Sequence, residues 1–271
     1  MINSNKNGLQ RISEAFDLAR TNHTAALMPY FTLGYPSPET SLQVVQAISH
    51  HSHLIELGVP FSDPIADGPT IQRSTQLALE QGVTSKVCLD MLRELRHRGV
   101  ETPALLMGYY NPIMSYGEEQ YVRDAAVAGA DGLIIPDLPP EEASVIAEAA
   151  NRAGIALIYF LAPTSDERRK RLVLEQANGF IYMVSVTGVT GARATLHADL
   201  RNFVQSLKKQ TEVNIAVGFG ISGPEQASKV AKFADGIIVG SALINAVDAA
   251  NDKAGAARAF VRDMQNSLLR I

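Results

Sequence analysis

The chain has 271 residues, 46% of them apolar and 19% charged, with 20 glycines and 13 prolines. That ordinary globular composition excludes disordered, collagen-like and coiled-coil proteins. With 24 Lys and Arg against 28 Asp and Glu, the net charge is −4 and no long run carries one sign, so no basic excess points to nucleic acid.

The N-terminal MINSNKNGLQRI has no apolar h-region, and no uninterrupted apolar stretch approaches the roughly 20 residues of a membrane helix. The expectation is a cytoplasmic chain that does not engage a membrane. Cys88 is the only cysteine, so no internal disulfide forms. In SKVCLDMLREL, Cys88, Met91, Leu92 and Leu95 share one helical stripe, the place of a buried, inert thiol. The cluster Arg168-Arg169-Lys170-Arg171 follows Asp166-Glu167 and reads as a solvated helix face.

Along the chain, short apolar runs recur at 25–34, 53–59, 103–110, 131–138, 155–162, 179–186, 213–219 and 235–241. Stretches of helical periodicity, such as 141–154 and 224–234, lie between them. Strands that are apolar throughout, alternating with helices, predict a parallel sheet covered by helices. Eight such units fit one closed (β/α)8 barrel, α/β in class, spanning residues 1–271 as a single domain with an extra N-terminal helix. A weak internal repeat agrees: AGADGLIIPD (128–137) and KFADGIIVGS (232–241) each lead into a strand with Asp-Gly, at the bottom of the barrel. The doubly wound alternative wants GxGxxG after the first strand, where this chain has LGYPSPE.

In a barrel the chemistry sits at the C-terminal ends of the strands. On the second strand Ile55, Leu57 and Val59 share one face, which suits the helix layer and sends Glu56 inward beside Gly58. A carboxyl there is partly desolvated, its pKa raised toward that of a general acid or base, unless a buried Arg or polar network pairs with it. No Lys or Arg stands at a strand end to do so. The following loop, PFSDPIADGPTIQRS (60–74), carries Asp63 and Asp67, which either reach substrate or only shape turns. Asp137 has the same claim, or caps the following helix.

Glycine-rich segments follow strands six, seven and eight: SVTGVTGARAT (185–195), GFGISGPE (218–225) and VGSALI (239–244). The last two open helices, whose N-terminal amides attract anions, at the loops where barrels often hold phosphate. A phosphorylated substrate is expected, with 185–195 as a lid over it. Tyr182, with Tyr109, Tyr110 and Phe219, either lines an aromatic pocket or packs in the core. All eight lysines lie outside the strand ends, which sets aside a Schiff-base aldolase. The cluster His50-His51-Ser52-His53 precedes strand two, at the bottom, as a helix-end feature and not a zinc site. No metal is expected.

The stretch LIELGVPFSDPIADGPTIQRS (54–74) resembles the central signature of the tryptophan synthase α-subunit family. LLMGYYNPI (105–113), DGLIIPDLP (131–139), YFLAPTS (159–165), VSVTGVTGAR (184–193) and VGFGIS (217–222) match in order, from about Tyr30 to Ile244. The resemblance implies cleavage of indole-3-glycerol phosphate to indole and glyceraldehyde 3-phosphate, in L-tryptophan biosynthesis. It implies no cofactor in this chain, and a β-subunit partner that carries pyridoxal phosphate and receives the indole in an α2β2 heterotetramer. On it Glu56 matches an acid/base glutamate, Asp67 the aspartate that bonds the indole N–H, and Tyr182 a tyrosine near the reacting side chain. Gly191, Gly220, Gly240 and Ser241 match phosphate contacts, while Tyr30, Met107, Tyr109, Ile134 and Phe219 would form the indole pocket. The segment Ser62-Asp63-Pro64 is the expected part of the β contact. One position departs: the family commonly reads T-x-G-D-P after strand one, and this chain has TLGYP, with Tyr35, which bears on hydrogen bonding around loop one.

Three alternatives share these residues: a stand-alone lyase releasing free indole, a non-catalytic barrel that activates a β subunit, and another phosphate-binding barrel such as a sugar-phosphate isomerase. Intact Glu56 and Asp67 argue against the second. The apolar pocket argues against the third.

Overall fold

Ahead of the first strand, Asn7 opens helix α1 (Gly8–Thr21) with a reciprocal cap: its side chain accepts from the Gln10 N–H, and the Gln10 side chain accepts from the Asn7 N–H. The computed structural model describes residues 6–184, 193–218 and 220–269. Its strands are β1 (Ala26–Thr32), β2 (Ile55–Gly58), β3 (Ala104–Met107) and β4 (Gly132–Ile134), then β5 (Ala156–Leu161), β6 (Phe180–Val184), β7 (Asn214–Gly218) and β8 (Gly236–Val239). They pair in parallel and in sequence order, and β8 closes on β1 from Ala26↔Gly236 to Pro29↔Val239. This is the expected (β/α)8 barrel.

Helix α2 (Pro38–Ser49) follows β1. Two helices follow β2, α3 (Pro69–Glu80) and α4 (Ser85–His97), and two follow β3, α5 (Tyr110–Tyr116) and α6 (Glu118–Ala128). Next come α7 (Ser144–Ala153), α8 (Glu167–Gln176), α9 (Arg193–Lys208) and α10 (Pro224–Ala231), and after β8 the pair α11 (Ser241–Asp248) and α12 (Lys253–Asn266). None of the described helices is long and apolar enough to cross a membrane.

Strand alternation divides the apolar residues into two layers. Ile55, Leu57 and Val59 join the helices in the outer layer, with Phe31, Leu106 and Leu133. Met28, Leu54, Leu105, Ile134, Ile158 and Phe180 fill the barrel. Cys88 is buried in the outer layer on α4 beside Leu89 and Leu92, and burial pushes its thiol pKa up, as an inert packing residue requires.

The extra helix has a structural task. Ile12, Ala15, Phe16 and Ala19 of α1 belong to the inner layer, and the Phe16 ring lies 5.8 Å from that of Phe180. Helix α1 therefore floors the barrel. Its first residue must be glycine, because a Cβ on Gly8 would stand 2.4 Å from the Asp131 carbonyl oxygen, a backbone atom that cannot step aside. Gly8→Ala should lower stability by about 1–3 kcal/mol through overpacking, read as a lower melting temperature; an unchanged melt would mean that α1 does not seat there.

The A-D-G repeat is one device used twice. The Asp131 N–H donates to Ala104 O, its carbonyl accepts from Ala156 N, and its Oδ2 accepts from Ala104 N at 2.8 Å. The Asp235 N–H likewise donates to Ile215 O, its carbonyl accepts from Ala26 N, and its Oδ2 accepts from Ile215 N at 2.9 Å. Each aspartate thus stitches the bottoms of its two neighbouring strands, and each is paired with a cation: Arg11 and Arg96 on Asp131, Lys208 on Asp235. The histidine cluster is also structural. His53 Nδ1 accepts from the Leu27 N–H at 3.1 Å, and burial lowers its pKa, so it sits neutral at the base of β1. His51 bonds Gln265 on α12 at 3.2 Å.

Candidate active site

Glu56 lies inside the barrel with no exposed surface, and neither carboxyl oxygen has a hydrogen-bond partner among the described residues. Desolvation alone pushes its pKa up to about 8, so it is protonated at neutral pH. The buried-pair reading of this glutamate is thereby set aside for the described residues.

Loop 60–68 resolves the two aspartates. Asp63 is exposed at the tip, held by Ser62 Oγ at 2.5 Å. Asp67 turns inward, half-buried, and accepts from the Tyr109 hydroxyl at 3.0 Å, while that hydroxyl accepts from the Ala66 N–H at 3.0 Å. Tyr109 thereby clamps the loop over β3. Burial outweighs the Tyr109 bond and lifts the Asp67 carboxyl to about 6, so it is mostly ionised at pH 7. Phe61, which sequence reasoning missed, stacks its ring 5.4 Å from that of Tyr109.

Two inward tyrosines frame Glu56. Tyr30 on β1 is in register with Glu56 on β2. Each ring lies over a glycine of an adjoining strand: a Cβ on Gly58 would stand 2.1 Å from the Tyr30 hydroxyl, and one on Gly218 2.6 Å from that of Tyr182. Burial and the charges of both carboxylates raise the phenol pKa of each, so both stay neutral donors. The Tyr182 ring packs 4.6 Å from that of Phe160. Next to Tyr30 a buried hydroxyl pair, Thr32 and Ser74, joins β1 to α3 at 2.7 Å. Neither residue was singled out in the sequence, although Thr32 shares the parity of Tyr30 on β1.

Met107 and Ile134 face the inner layer beside Leu105, giving the site an apolar side. Tyr110 does not join them. It packs on the outer layer and donates to Glu118 at 2.8 Å, since the chain enters α5 at that residue and the helical turn swings the side chain away. Asp137 is also corrected: exposed, it accepts from the Tyr110 N–H at 2.9 Å and so caps α5, a helix earlier in the chain, not the following one.

On the phosphate side, Gly220 has a φ of +75°, a conformation that favours glycine. Gly240 is the N-cap of α11 and Ser241 its first residue, and the cap makes no side-chain hydrogen bond, a kind of helix end that suits an anion. Gly191 and Phe219 lie outside the described residues. A separate groove of 920 Å³ opens between α7 and α8 and holds none of these side chains.

A buried carboxyl, a second ionised one, an apolar wall and a helix start suited to an anion are the parts of an acid–base site for an apolar, anionic substrate. The family model for the tryptophan synthase alpha chain matches residues 16–268. The tryptophan synthase alpha chain of Chloroflexus aggregans is 46% identical over 97% of this chain and 100% of its own. That of Dehalococcoides mccartyi is 47% identical over 96% and 100%. The crystal structure of tryptophan synthase subunit alpha from Legionella pneumophila superposes with a TM-score of 0.87 at 37% identity, covering 95% of this chain and 98% of that one. The chain belongs to the tryptophan synthase alpha chain family, lyases that cleave indole-3-glycerol phosphate. With a match of this extent the alternative readings are not favoured.

Proposed function

We propose that this chain cleaves indole-3-glycerol phosphate with Glu56 as the acid and Asp67 as the partner of the indole N–H. The observation that carries this reading is a fully buried Glu56 carboxyl with no hydrogen-bond partner among the described residues, together with an inward Asp67 carboxylate held by Tyr109; burial pushes the first up to about 8 and the second to about 6. The indole ring lies against Met107, Ile134, Tyr30 and Tyr109. The phosphate sits at Gly220, Gly240 and Ser241. Glu56 gives its proton to the ring carbon that bears the side chain. The resulting cation is stabilised through its N–H by the Asp67 carboxylate. Glu56, now ionised, takes the proton of the adjoining side-chain hydroxyl. The carbon–carbon bond then breaks, its electrons return to the ring, and indole and glyceraldehyde 3-phosphate separate. Tyr182, a neutral phenol in the same space, donates to the side chain as charge develops.

The acceptor of the indole is a tryptophan synthase β subunit, which carries pyridoxal phosphate, while this chain works without a cofactor; the assembly is an α2β2 heterotetramer. Loop 62–65 supplies part of the contact, supported by Ile65, a large apolar side chain left 84% exposed at its tip. The test is indole release by the purified chain with and without a β subunit. Slow cleavage that rises sharply on adding the partner is the expected result. Equal, fast cleavage in both would make the chain a stand-alone lyase, and no cleavage in either would end the reading.

A further inference from the structure

Tyr35, the residue that departs from the family's usual aspartate, is buried at the rim just after β1, its ring 6.1 Å from that of Phe31. Its hydroxyl donates to the Asp248 carboxylate at the end of α11. The other oxygen of that carboxylate takes the Arg73 guanidinium of α3, which also reaches the Tyr35 hydroxyl at 3.5 Å and lies 6.0 Å from the centre of its ring. A second link, Thr70 to Asn245 at 3.5 Å, crosses between the same two helices. An aspartate at position 35 would set a second carboxylate against Asp248; the phenol instead donates to it alongside Arg73.

The two helices so joined carry opposite ends of the site. Helix α3 begins two residues after Asp67, and α11 begins at Gly240-Ser241. We propose that Tyr35 is a positioning residue which, through Asp248 and Arg73, fixes the span between the indole-end carboxylate and the phosphate-end amides. The inference rests on the site reading above. A ligand that touches both ends needs that span; a ligand that touches one end does not.

The experiment compares Tyr35→Phe, and separately Asp248→Asn, with the unaltered chain. Steady-state cleavage of indole-3-glycerol phosphate is measured, together with the affinities for two fragments, indole and glycerol 3-phosphate. The expected result is a fall of about tenfold in kcat/KM for the whole substrate, carried by KM, with both fragments bound within twofold of the original affinity. Whole-substrate kinetics unchanged within twofold overturn the proposal. So does a parallel loss of fragment affinity, which would mean general damage. Failure of the unaltered chain to cleave the substrate would instead remove the site reading itself, and this proposal with it.

Discussion

Glu56→Gln should reduce indole release by about three orders of magnitude, the scale of a lost general acid–base group, while glycerol 3-phosphate still binds. Gln keeps the size and neutrality of the protonated side chain but cannot pass a proton. The pH dependence of the unaltered enzyme follows from the same two groups. Activity should fall below about 6 as Asp67 takes up a proton and above about 8 as Glu56 loses one, giving a bell in kcat/KM. A Glu56→Gln variant retaining more than a tenth of the activity would show that the proton comes from elsewhere.

The same substitution should stabilise the fold. Glu56 has an ordinary pKa of 4.5 and is pushed up to about 8 by burial. Between those values the folded chain holds a proton that the unfolded chain has released, so stability falls as pH rises through this window. At about 1.4 kcal/mol per pH unit the loss reaches about 3 kcal/mol at pH 7 and stays under about 1 kcal/mol at pH 5. Gln has no charge to desolvate, so Glu56→Gln escapes that loss. Its gain in chemical-denaturation stability should grow from pH 5 to pH 8; a gain that is flat over this range, or absent, would contradict the desolvated state of Glu56. An unpartnered acid kept at a cost to stability is how a site trades stability for chemistry.

The barrel and the inward aim of Glu56 were legible because strand alternation is a property of the local chain. Three bulky residues, Ile55, Leu57 and Val59, left one direction for the carboxyl between them. The A-D-G repeat also announced itself, although not its purpose, since the strands that Asp131 and Asp235 stitch lie far off in sequence. For Tyr110, left open between pocket and core, the structure gives the packing alternative, because β3 ends at Met107 and the chain enters α5 at Tyr110, within the apolar run 103–110. Asp137 was misread because a cap from a distant segment leaves no pattern in the sequence. The seating of Tyr30 over Gly58 and of Tyr182 over Gly218 is likewise a matter of strands meeting, and a glycine within a strand does not say which neighbour it makes room for.

Helix α1 beneath the barrel has a consequence for protons. Among the described residues, Phe16, Phe180, Leu54 and Leu105 pack with α1 into the apolar layer at the bottom of the barrel, so that side offers Glu56 no polar path. In the proposed cycle its protons then pass by the mouth, the path that a seated substrate fills. In the proposed cycle, the hydrogen that Glu56 hands to the ring and the one it recovers from the hydroxyl are then exchanged within a closed account between enzyme and substrate, and bulk water re-enters only when the products leave.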